Sequence, residues 1–431
     1  MRFLRRRRRP RRSMEARDPR LIRALLDFGA SGARAALVRL SRDHIEILGV
    51  AEVTGRTGVA RPGQVMHREQ IANLAERALS AAEWSTAHDG ELPYIADDAI
   101  VGLTGPLLSA RGEAYHLRRS DPAAPIFEEE ILQALAITQK RQLAELAKQV
   151  RASKIRSALV ASQLVGAMSV REDLLQAERL PDVTRGVPGI AGEYLSIAIC
   201  NLVWPAQGLE VLRRVLDDLE LNLLSATPIA QAVAAALPRP DAILIDIGHE
   251  HTEIGLAEGG ALSGLTSIPM GGQFFTHSLM RGLGLSKKHA ELIKQRPVQE
   301  RVVSNRPVER VLRQATERWR QAVEQKLLEL AGDAPLPARV YLYGGGSHLP
   351  EIAEQLRAHP WTRRLPFESH PDVEHLLPHQ LRGLSDPRGS LHSSSHVGLA
   401  ALAAWAGHEP APLQKYLDSV TARVVSELDL S

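Results

Sequence analysis

The sequence predicts an α/β protein of duplicated, two-lobed design with an inserted subdomain, and three observations predict it. Leu21 to Leu26 is an apolar run that ends in the turn Asp27-Phe28-Gly29-Ala30-Ser31-Gly32, and a second run, Ala35 to Leu40, follows at once. Far along the chain the pattern recurs: Ala242 to Ile247 leads through Asp246-Ile247-Gly248 into a second strand pair. Two halves that each open with strand, Asp-x-Gly turn and strand point to duplication. Third, Leu108 to Gly189 interrupts the first half with a pattern of its own and ends in the Gly/Pro-rich stretch RGVPGIAGEY, the mark of a boundary.

Each element follows in order. After the first hairpin comes a strand, His44 to Val53, then a helix with Ile71, Leu74, Ala75, Ala78, Leu79 and Ala82 at helical spacing. Ala99 to Leu103 is a strand closing at Thr104-Gly105-Pro106. The insert holds a long amphipathic helix, Glu128 to Val150, and a strand, Ser157 to Val165. Tyr194 to Leu202 is a strand, Gly208 to Asp218 a helix, and Thr227-Pro228 opens the alanine-rich helix IAQAVAAAL. The second half continues with helices at Gln273 to Leu283, Lys287 to Gln295 and Pro307 to Ala331. It then gives the strand Val340 to Tyr343, which runs into Gly344-Gly345-Gly346-Ser347. His359 to Ser394 is irregular, and His396 to Gly407 is a small-residue helix.

These elements divide the chain into a disordered basic tail (1–20), a first lobe (21–107 and 190–237), the insert (108–189) and a second lobe (238–392). A helix returning to the first lobe (393–408) and a C-terminal amphipathic segment (409–431) complete it.

At 431 residues, 44% hydrophobic and 24% charged, the chain has room for two or three packed units, which excludes one small domain. Lys and Arg total 53 against 50 for Asp and Glu, and most of the +3 surplus lies in the first twelve residues, so no global nucleic-acid footprint exists. The start MRFLRRRRRPRR is open to three readings: a tether on anionic lipid, a nucleic-acid arm or a solvated tail, with Met14 as an alternative start. No apolar run is long enough for a bilayer, and no signal-type apolar segment follows the basic start. The single Cys200, in LSIAICNLVW, reads as a buried strand residue in a reducing compartment. The expected location is the cytoplasm or the inner face of the cell membrane.

Phosphate is held by backbone N–H groups where the chain comes close, which needs glycine, and a hydrated cation needs a carboxylate. Asp27, Gly29, Ser31 and Gly32 supply that combination, and Asp246 with Gly248 supplies a second copy. Gly271-Gly272 and Gly344-Gly345-Gly346 offer two more close-approach turns. One such turn alone is weak evidence; four in this order are strong. The pairs His249/His251 and His375/His379 have ligand-like spacing, but no defensible third ligand accompanies either, so loop histidines are the default reading.

The order of these motifs resembles the actin/chaperone-ATPase (ribonuclease H-like) superfamily. DFGASGAR resembles its first phosphate motif, DIGHEHTEI the second and GGGSHLPEI the adenosine motif, with TPIAQAVAAAL and HVGLAALAAWAG as the connecting helices. RPGQVMHREQIANLAERALSAAE, IVGLTG and the insert segment FEEEILQAL are similar to the FtsA family, with the PilM family next. The resemblance runs from about Leu21 to Gly407. It implies an FtsA 1C-like (SHS2) insert, with ATP and Mg²⁺ between the lobes. Asp27 and Asp246 would attend the metal and the chemistry, Gly29, Ser31 and Gly32 the β-phosphate, and Arg34, where actin has lysine, the phosphates. Gly248, Gly271 and Gly272 would serve the second phosphate side, Glu291 and Lys294 the ribose, and Gly344, Gly345, Gly346 and Ser347 the adenine. It further implies a scaffold of bacterial cell division that polymerises and links FtsZ to the membrane, at most a weak ATPase, with no specific nucleic acid partner. A PilM-like platform of type IV pilus or secretion assembly and a small-molecule kinase are the alternatives. A kinase needs an Asp base facing its substrate, and no such motif is recognisable.

Two departures stand out. His249 and Glu250 replace the two glycines expected after the second Asp-x-Gly, and a carboxylate aimed at phosphate opposes binding. Thr227 stands before Pro228 where relatives carry a glutamate, leaving Gln231 as the substitute to orient water, so turnover is expected to be slow or absent. In the C-terminal segment, Leu413, Tyr416, Leu417, Val420, Val424 and Leu428 share one face, while Asp418, Glu427 and Asp429 beside Lys415 and Arg423 suit anionic lipid poorly, so packing on the protein or a partner is expected.

Overall fold

The computed structural model describes residues 21–428 apart from 42–43, 56–66, 88–91, 154, 172–175, 180–189, 297–305, 333, 359–363 and 368. The basic tail and the first half of the Gly/Pro-rich boundary lie outside the described residues.

In the first lobe, β1 (Ile22–Gly29), β2 (Gly32–Leu40) and β3 (Ile45–Thr54) form an antiparallel meander, and β4 (Asp98–Leu103) pairs parallel to β1. Ala24, Leu25 and Leu26 are fully buried, so β1 is covered on both faces, which is why it reads as an unbroken apolar run. Helix α1 (Arg68–Trp84) buries the stripe Ile71, Leu74, Ala75, Ala78, Leu79 and Ala82 against it. The second lobe repeats the plan with the meander β10 (Ala242–Ile247), β11 (Thr252–Glu258) and β12 (Ala261–Ile268), beside the parallel β13 (Arg339–Tyr343).

Two strands escape the apolar pattern. Strand β9 (Asn222–Pro228) pairs parallel to β4, and β14 (Asp372–His375) pairs parallel to β13 within the stretch expected to be irregular. They complete the symmetry: β3-β2-β1-β4-β9 in one lobe matches β12-β11-β10-β13-β14 in the other. A short β15 (Leu384–Ser385) adds to β3.

The insert consists of β5 (Ser109–Arg118), α2 (Glu128–Ala152), β6 (Ser157–Arg171), β7 (Gln176–Arg179) and β8 (Tyr194–Pro205). Here the expected boundary at residue 190 is corrected: β8 does not open the return to the first lobe but pairs with β5 and β6. Leu195, Ile197 and Ile199 pack toward α2, while Cys200, Leu202 and Trp204 join the main core, so both faces are apolar and periodicity gives no clue to which layer owns the strand. The insert also does not stand apart. Gly264 and Leu265 of β12 pair with Arg111 and Ala110 of β5, making one nine-stranded sheet of second lobe and insert. A Cβ at Gly112 would lie 2.3 Å from the Ser263 carbonyl oxygen, so this junction requires glycine.

Helix α3 (Ala206–Asp218) packs on α1, β8 and β9, and between the lobes run α4 (Ile229–Ala236) and the returning helix, which is described below. The second lobe carries α5 (Gly272–Leu283), α6 (Lys287–Gln295), α7 (Arg306–Ala331) and α8 (Pro350–Ala358). Helix α9 (Val397–Ala406) returns to pack on α4 and β1, and β4 approaches both helices closely. A Cβ at Gly102 would meet Leu402 at 2.8 Å and Ile229 at 2.9 Å.

Helix α10 (Pro412–Leu428) buries Leu413, Leu417, Val420 and Val424 against α2 and β6 of the insert. The Gln414 side chain completes the docking: its Oε1 accepts from the Leu164 N–H at 2.9 Å and its Nε2 donates to the Ser162 carbonyl at 2.8 Å. That amide caps backbone groups of β6 at the sheet edge. Among the described residues no helix is long and apolar enough to cross a membrane.

Candidate functional site

A cavity of about 510 Å³ lies between the lobes, with residues of both lobes in its walls. Its first wall comes from the β1–β2 hairpin. Asp27 and Arg34 stand directly opposite in the ladder, and the Arg34 Nη1 donates to Asp27 Oδ2 at 3.3 Å while Nη2 reaches Glu52 at 3.3 Å. Burial raises the Asp27 carboxyl above its ordinary value, and the Arg34 guanidinium only partly offsets this. The Arg34 Nε is buried without a hydrogen-bond partner. Gly398, at the start of α9, lets this helix approach α4, since a Cβ there would lie 3.1 Å from Ile229, and it places the helix at ordinary contact distance from Asp27 Oδ2.

The opposite wall comes from β10–β11. Asp246 pairs across the ladder with Glu253. Burial, reinforced by the Glu253 charge, pushes Asp246 up to about 7. Glu253 Oε1 accepts from the Thr104 hydroxyl at 2.7 Å and from the Gly105 N–H at 2.6 Å, and it lies 3.5 Å from His251 Nε2. Burial disfavours charge on His251, yet the Glu253 carboxylate outweighs it and holds that imidazole above its usual value.

The loop after Asp246 is bound to the start of α5. Gly272 N–H donates to the Gly248 carbonyl at 2.8 Å, Gln273 N–H to the His249 carbonyl at 2.8 Å and Gly271 N–H to the Glu250 carbonyl at 3.2 Å. A Cβ at Gly271 would stand 2.7 Å from the Gly248 and His249 carbonyls, so the stretch must begin with glycine. Lys294 of α6 spans the same corner: its Nζ donates to the Gly272 carbonyl at 3.0 Å and Thr276 Oγ1 at 2.9 Å, and pairs with Glu291 at 2.7 Å. Glu291 also accepts from Thr276 at 2.6 Å. Although burial opposes it, these bonds hold Glu291 below the usual carboxylate value.

The last wall is the turn after β13. Gly344 has φ +83°, and a Cβ there would lie 2.1 Å from Asp246 Oδ1. No other residue type permits both the conformation and the closeness. Gly344 N–H donates to the Ser394 carbonyl at 3.0 Å, and the His348 ring meets the Ser393 and Ser394 hydroxyls at 3.1 Å, so the turn is tied to the segment leading into α9.

Most of the residues singled out in the sequence meet in this cavity: Asp27, Gly29, Ser31 and Arg34 from one side, Asp246, Gly248, Gly272, Glu291, Lys294 and Gly344 to Gly346 from the other. Gly32, Gly271 and Ser347 shape the turns behind the walls without lining them. Gln231 is a correction: Ile229 lines the cavity, and Gln231, two residues and about 200° further round α4, is buried elsewhere. The substitution of the two glycines also divides. His249 lines the cavity and is held below its usual pKa by burial and by Lys294, whereas Glu250 is not among the lining residues. Its charge still acts on His249 and His251, which do line the cavity, so the expected opposition of the Glu250 carboxylate would act at a distance rather than by contact. His375 lies on β14 and bonds the Ser347 carbonyl at 2.9 Å, and among the described residues no group of three or more His, Cys, Asp or Glu is placed to hold a metal ion.

Lining residues to which the sequence assigned no site role include Thr104, Arg296, Tyr343, His348, Ser395 and Gly398. The signal for Gly398 was present, since it opens an alanine-rich helix of a kind that packs tightly. The others lie beside the motifs and carry no pattern of their own.

Residues 243–388 match the family model of the cell division protein FtsA. Over this segment the chain is FtsA-like. Among solved structures, a PilM–PilN type IV pilus biogenesis complex is similar at 18% identity and TM-score 0.55, covering 90% of this chain and 98% of the other. The FtsA-like segment and this neighbour agree on the actin-like ATPase fold. More distant are the ethanolamine utilization protein EutJ from Carboxydothermus hydrogenoformans (15% identity, 89% of each chain, TM-score 0.47) and MreB 5 of Spiroplasma citri bound to AMPPNP (12%, 88% and 94%, TM-score 0.43). No curated protein matches the sequence.

Proposed function

We propose that the chain binds ATP with Mg²⁺ between its lobes and serves as an FtsA-like assembly scaffold. The observation that carries this reading is the cavity, where two facing Asp turns, a glycine turn and two paired cations converge. Its volume falls in the range usual for small-molecule sites. The missing Cβ at Gly344 and the unpartnered Arg34 Nε support the fit to a phosphate-bearing ligand. When bound, the triphosphate and its cation supply charge that draws the lobes together.

Asp27 and Asp246 would hold the cation through water, and Arg34 would turn from Asp27 toward phosphate. Gly29, Ser31, Gly32 and Gly248 would bring backbone close to the phosphates, with Gly271 and Gly272 behind them. Glu291 and Lys294 would meet the ribose, and Gly344 to Ser347 the base. Thr227 stands where a general base is needed and Gln231 does not line the cavity, which supports slow or absent turnover. In this reading the protein polymerises and links an FtsZ-like division protein to the inner face of the membrane.

The packing of α10 favours a second reading. Its apolar face is buried on the insert, so it is not free to enter a lipid surface. A pilus or secretion platform, whose membrane link is a partner protein, accords with that. Pull-down of the full chain against FtsZ and against pilus-assembly proteins separates the two. Capture of neither, with polymerisation absent, would contradict both.

A further inference from the structure

The chain passes from the first lobe into the insert at Thr104-Gly105-Pro106, and every polar group of that junction for which a partner is described is held from outside the first lobe. The Thr104 hydroxyl and Gly105 N–H both donate to one oxygen of Glu253, on the second lobe. The Thr104 carbonyl accepts from Trp204 Nε1 of the insert at 3.3 Å, and the Pro106 carbonyl from Ser267 of β12 at 3.3 Å. Gly105 adopts φ +123°, a conformation that other residues rarely take, so the bend is built for this route. Four residues on, β5 pairs with β12.

We propose that Glu253 is a positioning residue that fixes the insert to the second lobe, so that movement of the second lobe about the cavity carries the insert with it relative to the first lobe. Glu253 is suited to this place because it is 3% exposed and belongs to β11, the strand beside Asp246, while its reach ends on the last turn of β4. His251, which lines the cavity, touches the same carboxylate oxygen. A change of charge or position at the cavity wall therefore reaches Thr104 and Gly105 through one side chain. The continuous sheet supplies stiffness, and Glu253 supplies the connection at the point where the chain bends. The response to a ligand rests on the nucleotide reading given above; the attachment itself does not.

Hydrogen exchange on the full chain tests both separately, using wild type, Glu253→Ala, Glu253→Gln and, as a variant remote from the cavity wall, Trp204→Phe. Without ligand, Glu253→Ala is expected to speed exchange at Gly105 and along β5 by at least about tenfold, the size of one lost hydrogen bond to a charged group, while Glu253→Gln, which keeps an acceptor oxygen, restores most of the protection. With Mg·ATP, wild type gains protection in the Gly29–Gly32 and Gly344–Ser347 turns and also in β5 and α2. In Glu253→Ala, and more weakly in Trp204→Phe, the turns still respond and the insert does not. An insert response in Glu253→Ala equal to wild type, or unchanged ligand-free exchange at Gly105 and β5, would overturn the proposal. Turns that ignore Mg·ATP in wild type would instead count against the nucleotide reading, leaving the ligand-free comparison to decide the role of Glu253.

Discussion

Glu253 stands directly opposite Asp246 in the second lobe, at the position that Arg34 occupies opposite Asp27 in the first. Directly opposed residues of an antiparallel pair face the same side, so one Asp of the duplicated pair has a cation beside it and the other a like charge. Duplication has preserved the backbone while reversing the electrostatics. Asp246 accordingly lies near neutral pH, where small changes of environment alter its protonation.

A pH dependence of stability follows. The folded chain keeps the Asp246 proton up to about pH 7, whereas the unfolded chain releases it near the ordinary value of 3.8. Stability from this group is therefore fully present in acid and is lost as pH rises through about 7. Asp246→Asn should raise Tm by roughly 3 °C more at pH 8 than at pH 5, measured by thermal melts without nucleotide. An equal shift at both pH values would contradict the assignment.

Gly344 and Gly345 give a matched pair. Gly344→Ala places a methyl group against Asp246 at positive φ and should cost about 1–3 kcal/mol while weakening any ligand response. Gly345→Ala meets nothing within 4 Å and should leave stability unchanged. Denaturant melts and ligand-induced Tm shifts on both variants check this.

His249 and Glu250 should differ despite their adjacency. His249→Gly removes a lining side chain and should tighten ATP binding several-fold, since the widened wall favours close backbone approach. Glu250→Gln should alter affinity by less than about twofold, as remote surface changes do. The reverse ranking in calorimetry would show that the loop rearranges on binding.

Lys294→Met removes the cation that joins α5, Thr276 and Glu291. Affinity for nucleotide should fall about 10–100-fold, the size of charge-assisted hydrogen bonds, with a loss of a few degrees in Tm at neutral pH. Unchanged affinity would place the ligand away from this corner.

The fold was readable because its repeated unit carries apolar strands ending in Asp-x-Gly, a combination that survives in both halves. Strands β9 and β14 were hidden because LNLLSATP and DVEH are short and partly polar, as befits strands with one solvent-facing edge. Strand β8 was assigned to the wrong layer because a strand buried on both faces looks alike in any sheet. At the site, glycines and carboxylates were legible from motif order. Glu253 was not, since its role depends on a long-range contact with Thr104 and Gly105 that no local spacing encodes. Gln231 lies outside the cavity lining although α4 begins at Ile229 as expected, because Ile229 holds the position on the helix that meets the cavity.

The central claim, that the interlobe cavity holds a nucleotide, is tested most directly by thermal-shift titration of the full chain with Mg·ATP. Binding should raise Tm progressively, reaching about 2.7 kcal/mol of stabilisation at a ligand concentration 100-fold above Kd, and Gly344→Ala should weaken the rise. An unchanged wild-type Tm at millimolar Mg·ATP would contradict the account.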